Sequence, residues 1–114
     1  ELPLDSAPPG MLGLETALGV VLAEMNLDLP AVIERMSTAP ARIAGVSELH
    51  GNPIAVGSPA NITVFDPEIT WSVEPTQLAS KSRNTPYVGR SLRGRVKHTV
   101  FRGEVVVVDG EAKK

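Results

Sequence analysis

The run Val105-Val106-Val107-Val108, closed by Asp109-Gly110, constrains the fold more than any other stretch. Valine is β-branched and packs best on a pleated surface. A strand apolar on both faces needs cover on both sides. The chain supplies little of it. Period-two spacing puts Ile62 and Val64 on one face and Thr63 and Phe65 on the other, while Trp71 and Val73 suggest a second extended piece. Residues 96–101 and 105–108 then pair as a hairpin turning at Arg102-Gly103. In its first arm Val96, His98 and Val100 alternate with Lys97, Thr99 and Phe101. About four short strands result, too few to close a barrel or build two full sheets. Another copy of the chain, or a further segment, must complete the sheet.

The first 45 residues follow a different pattern. Pro3, Pro8 and Pro9 make ELPLDSAPPG an extended loop, and its opening on Glu1 reads as a start partway through a longer protein. In MLGLETALGVVLAEM, Leu14, Leu18, Val21 and Met25 recur at helical spacing, with Leu22 widening the stripe. Asp28 before Pro30 signals a second helix over residues 30–36. Ser37-Thr38 before Pro40 signals a third, ending at Gly45 in a left-handed cap.

Bulk properties exclude several functions. The 114 residues suit one domain, able to bury roughly two-thirds of its unfolded surface. Cysteine is absent, which rules out disulfides and thiolate metal sites and accords with a cytoplasmic location. No apolar run approaches the ~20 residues of a membrane-spanning helix, and the acidic, proline-rich start is no secretory signal.

Seven cations, Lys81, Arg83, Arg90, Arg93, Arg95, Lys97 and Arg102, lie between Glu74 and Glu104 with no acid among them. A nucleic-acid-binding module is one reading, with Tyr87 and Phe101 available to stack on bases. The net charge of −2, the 4% aromatic content and the interrupting Gly and Pro residues favour another. In that reading the arginines bond carbonyls and carboxylates of neighbouring elements. No catalytic or metal-ligating set assembles: His50 and His98 stand 48 residues apart, without HxH or HExxH spacing. His50 reads as a surface turn residue and His98 as a half-buried strand residue. Ser6 and Ser91 lack a base at a recognisable spacing, and neither GMLG nor VGRSLRG has the setting of a phosphate loop.

Three stretches, APPGMLGLETAL (7–18), MSTAPARIAG (36–45) and SKSRNTPYVGRSLRGRVKHTVFRGEVVVVDG (80–110), resemble in order and spacing the C-terminal third of dihydroorotase, of the amidohydrolase superfamily. The intervening GSPANITVFDPEITWSV is similar to the same family's ADLVVFDP segment. The resemblance implies an α/β fragment. Residues 1–45 would be the last helices of a (β/α)8 TIM-type barrel with a substrate-side loop, and residues 46–114 the C-terminal strands of a small β-sandwich. It also implies a parent enzyme that interconverts N-carbamoyl-L-aspartate and (S)-dihydroorotate in de novo pyrimidine (UMP) biosynthesis. That chemistry is zinc-assisted attack on a ring amide, with an aspartate carrying the proton.

The zinc ligands and catalytic residues would lie outside this chain, which is expected to be inactive alone. Asp5-Ser6-Ala7-Pro8 resembles the start of the family's DHAPH motif, but Ser6 and Pro9 stand where histidines would. Ala7-Pro8-Pro9-Gly10 better fits the APFG-type segment that precedes GLET, and this maps substrate binding to Pro9 and Gly10, chiefly through the backbone. Pro9 departs from the aromatic common there and has no N–H to give. A tight turn is the plainer reading of the same pair. The implied partners are the rest of the same protein, its N-terminal barrel, and the small-molecule substrate, with no nucleic acid and no membrane. The resemblance also opens a homodimer or a complex with aspartate transcarbamoylase. Rival readings are a dihydropyrimidinase- or allantoinase-like hydrolase, a non-catalytic homologue, and the nucleic-acid module above.

Overall fold

The first helix, α1 (Ala17–Glu24), buries Gly19 and Leu22. Within the stripe expected to face inward, Leu22 is buried and Leu18 and Val21 are half-buried, but its two ends are not covered: Leu14 is 98% exposed and Met25 45% exposed. Leu14 lies before the helix begins, and the sheet beneath selects the smallest residue of α1 for closest approach. The computed structural model describes residues 3–7 and 9–113. Glu1, where the chain opens, and Pro8, in the proposed substrate-side segment, lie outside them.

The second and third helices expected from Asp28 and Ser37-Thr38 form one helical run. Helices α2 (Leu29–Ile33) and α3 (Ala39–Ile43) are joined by a π turn over Glu34–Thr38. Asp28 caps the run as expected, its carboxylate accepting the Ala31 N–H at 2.9 Å. Thr38 makes no side-chain cap bond. Pro40 offers no N–H and its ring crowds the carbonyl one turn back, so the widened turn accommodates a proline that would otherwise break the helix. Gly45, at φ 70°, ends α3. Its N–H bonds the Arg42 carbonyl at 3.2 Å and the Val46 N–H bonds the Ala41 carbonyl at 2.9 Å, a Schellman closure.

The strands form one antiparallel meander in sequence order: β1 (Ile62–Ser72), β2 (Ser91–Phe101), β3 (Glu104–Val108) and β4 (Glu111–Ala112). The two extended pieces expected before Val73 are one strand, β1, whose register with β2 shifts between Asp66 and Thr70. Pro67 cannot donate to the ladder there, and Asp66 accepts the Glu68 N–H at 2.9 Å instead. The hairpin turn at Arg102-Gly103 is where it was expected, with φ 52° and 84°. Asp109-Gly110, read as a stop, repeats that geometry at φ 50° and 82° and leads into β4. Positive φ at both central residues gives the tight turn that suits twisted strands.

The core sits where α1 meets β2. A Cβ built on Gly19 would come within 3.2 Å of Leu92, and one on Gly94 would overlap the Leu22 Cδ1 methyl. Leu92 is 1% exposed and Val73 0%. Trp71 Nε1 donates to the Gly94 carbonyl at 2.9 Å, closing this end of β1 on β2. The contact crosses the boundary at residue 45, so α1 and β2 pack as one body.

The surface is large for the chain. It measures 8382 Å², against roughly 6,000 Å² for a compact domain of this mass. The radius of gyration is 15.8 Å, where about 13 Å is usual for this length. Exposed apolar side chains contribute to it. Ile62, Val100 and Val105 pair across one face of the sheet, next to Val64 and His98, and Val64 and Val105 are 47% and 42% exposed. Among Val105, Val106, Val107 and Val108 none is buried, so the cover that their sequence demands does not come from the described residues.

Candidate functional site

Pro9 and Gly10 lie in an exposed loop ahead of α1, and with Met11, Leu12, Ser82 and Asn84 they line a shallow depression. Gly10 has φ 71°, and nothing lies within 4 Å of where its Cβ would be. The glycine is therefore required by backbone conformation, and its open side leaves room for a ligand to approach the main chain. Pro9 contributes no donor.

The other wall of the depression is the strap between β1 and β2. Asn84 grips the loop at two points. Its side-chain amide donates to the Gly10 carbonyl, and its main-chain carbonyl accepts the Leu12 N–H at 2.8 Å. One turn further on, the Glu15 carboxylate accepts the Ala79 and Ser80 N–H groups at 2.9 and 3.1 Å. Arg83 closes the strap on itself, donating to the Leu78 carbonyl at 2.9 Å and to the Ser80 carbonyl. Thr16 is buried behind this junction, its hydroxyl donating to the Gly13 carbonyl at 3.3 Å.

Glu15 and Asn84 fall within the GLET and KSRNTPY stretches that carry the resemblance, but nothing in the sequence says what either one bonds. An acid beside a cation-rich strap invites pairing with an arginine, whereas Glu15 takes backbone donors. Only the fold brings residues 64 and 65 positions apart into bonding range.

Two of the seven cations, Arg83 and Arg90, are engaged as the carbonyl-and-carboxylate reading expects, and two others, Arg95 and Arg102, lie over aromatic rings instead. Arg90 pairs with Glu24 of α1 and also lies over Tyr87. Arg95 lies over Trp71 and Arg102 over Phe101, at 5.5 and 5.2 Å, where cation and ring face attract. His50, expected at the surface, stacks on Phe101 at 6.5 Å. His98 is half-buried on β2 as expected, and its Nδ1 accepts the Asp109 N–H at 3.4 Å. The two histidines sit in separate settings. Among the described residues no group of three His, Asp or Glu side chains could hold a metal ion. The zinc implied by resemblance finds no set of donors among them. Nor is any helix among the described residues long and apolar enough to cross a membrane.

No family model matches the chain. Curated relatives do. A dihydroorotase of Streptomyces coelicolor is 49% identical over 110 residues, covering 93% of this chain and 26% of the relative. Among solved structures, a D-hydantoinase (dihydropyrimidinase) from Thermus sp. superposes with a TM-score of 0.84 at 25% identity, over 96% of this chain and 24% of the other. An L-hydantoinase (dihydropyrimidinase) from Arthrobacter aurescens gives 0.83 at 32%, over 95% and 25%. The chain thus spans about a quarter of the length of the proteins it matches.

Proposed function

We infer, for a chain homologous over nearly its whole length to the C-terminal portion of dihydroorotases, that it completes a cyclic-amide hydrolase of that kind. In this reading the parent enzyme interconverts N-carbamoyl-L-aspartate and (S)-dihydroorotate in pyrimidine biosynthesis. Residues 1–45 close the substrate side of its barrel and residues 46–114 complete its small sheet domain. The observation that carries the reading is the 49% identity to a dihydroorotase across 93% of the chain, against 25% and 32% to the two hydantoinases.

The division of labour follows from which groups are where. Zinc would be held by residues outside this chain and would supply polarisation of the ring amide when bound. This chain supplies shape. The Pro9–Gly10 backbone borders the ring, with a glycine where a side chain would stand in the way. The open valine face of the sheet is covered by strands from the rest of the protein, which removes its apolar surface from water. Homodimerisation and binding to aspartate transcarbamoylase would use other surfaces of that whole enzyme.

Substrate choice tests the reading. The full-length protein should hydrolyse dihydroorotate and leave hydantoin, dihydrouracil and allantoin untouched, while the 114-residue chain with added zinc should turn over none of them. Preference for hydantoin or dihydrouracil would move the protein to the hydantoinases. Turnover of no cyclic amide by the full-length protein would make it a non-catalytic homologue.

A further inference from the structure

We propose that Asn84 is a positioning residue for the Pro9–Gly10 loop, fixing through one side chain and one carbonyl where that loop stands against substrate. The proposal rests on the reading of Pro9–Gly10 as the substrate-side backbone. Among the described residues, the hydrogen bonds made by residues 9–12 both go to Asn84: its amide to the Gly10 carbonyl, its carbonyl from the Leu12 N–H. No other described group ties down a loop that has an exposed Met11 and a glycine at positive φ.

Asn84 is itself held. Its N–H donates to Ser82 Oγ at 3.3 Å, and the next residue, Thr85, is buried. Arg83 folds the strap onto its own carbonyls, which presents the Ala79 and Ser80 N–H groups to Glu15. The bonds make a closed circuit: loop to Glu15, Glu15 to strap, strap through Asn84 back to loop. Such a circuit transmits the position of the sheet domain to the substrate loop. A backbone contact depends on that position, since an ordered loop avoids the entropy cost of being fixed at the moment of binding.

The test is steady-state kinetics on dihydroorotate with the full-length enzyme, alongside its melting temperature. Asn84→Asp keeps size and the main-chain carbonyl but sets a carboxylate oxygen against the Gly10 carbonyl. We expect KM to rise about tenfold or more, kcat to stay within about twofold and the melting temperature to hold, the signature of lost uniform binding. Asn84→Ala, which removes the donor without repulsion, should raise KM by a smaller factor and serves if the aspartate variant does not fold. Gly10→Ala, whose methyl meets no atom of this chain within 4 Å, reports on the loop itself. If Gly10→Ala raises KM and the Asn84 variants do not, the positioning role is wrong and the loop reading stands. If neither position moves KM, the loop reading fails and takes this proposal with it. A fall in kcat and melting temperature together would make Asn84 a structural strut and overturn the proposal.

Discussion

The two ends of the sheet are built from similar residues and meet different fates. Where α1 crosses β2, Leu22, Leu92 and Val73 are buried, with glycines at positions 19 and 94 letting helix and strand touch. At the hairpin end, β3 carries four consecutive valines and none is buried. The valine end is the more apolar by composition and the more open in the fold. Burial is thus set by what lies opposite a side chain, not by how hydrophobic it is. One end finds its cover within the described residues; the other has apolar surface still facing water, which costs about 25 cal/mol per Å² relative to cover.

The sharpest way to break this comparison is at the helix end. Gly94→Val puts branched methyls where Leu22 already sits, at φ 86°, and should destabilise the full-length protein by about 4 kcal/mol in urea unfolding. A loss below about 1 kcal/mol would mean that α1 does not pack here. Leu92→Ala, at a side chain only 1% exposed, should cost about 3 kcal/mol by the same measurement. At the valine end, Val105→Thr should cost under about 0.5 kcal/mol in the 114-residue chain and, if the rest of the protein covers this face as proposed, more than about 1 kcal/mol in the full-length protein. Equal small costs in both would show that this face stays open.

Local signals were readable where one residue decides the backbone. Asp28 as a cap, Gly45 as a left-handed terminus and Arg102-Gly103 as a turn depend on a few dihedral angles and one or two bonds. The doubly apolar valines announced a sheet in need of cover, and among the described residues none of the four is buried. Along α1 the helical spacing places Leu22 correctly, whereas Leu14 and Met25, at the ends of the stripe, are exposed and the close approach to β2 falls on Gly19. Asp109-Gly110 was taken for a stop because two residues of β4 are too short to show a period.

The candidate site divides in the same way. Pro9 and Gly10 come from the resemblance of a segment to a family, and Gly10's positive φ gives that position a physical reason. Glu15 and Asn84 lie in the stretches that carry the resemblance, but their roles were not legible, because their partners are backbone groups that carry no residue-type signal.

By itself the sequence determined the caps, the turns, the strand-rich second half and the kinship with dihydroorotases, since each is written in residue type at short range. The tertiary structure alone decided that α1 meets β2 at Gly19, which arginine meets Glu24, and that one strap holds the Gly10 loop at two points. Those depend on contacts between residues tens of positions apart, and no local rule of propensity or period specifies a partner at that distance.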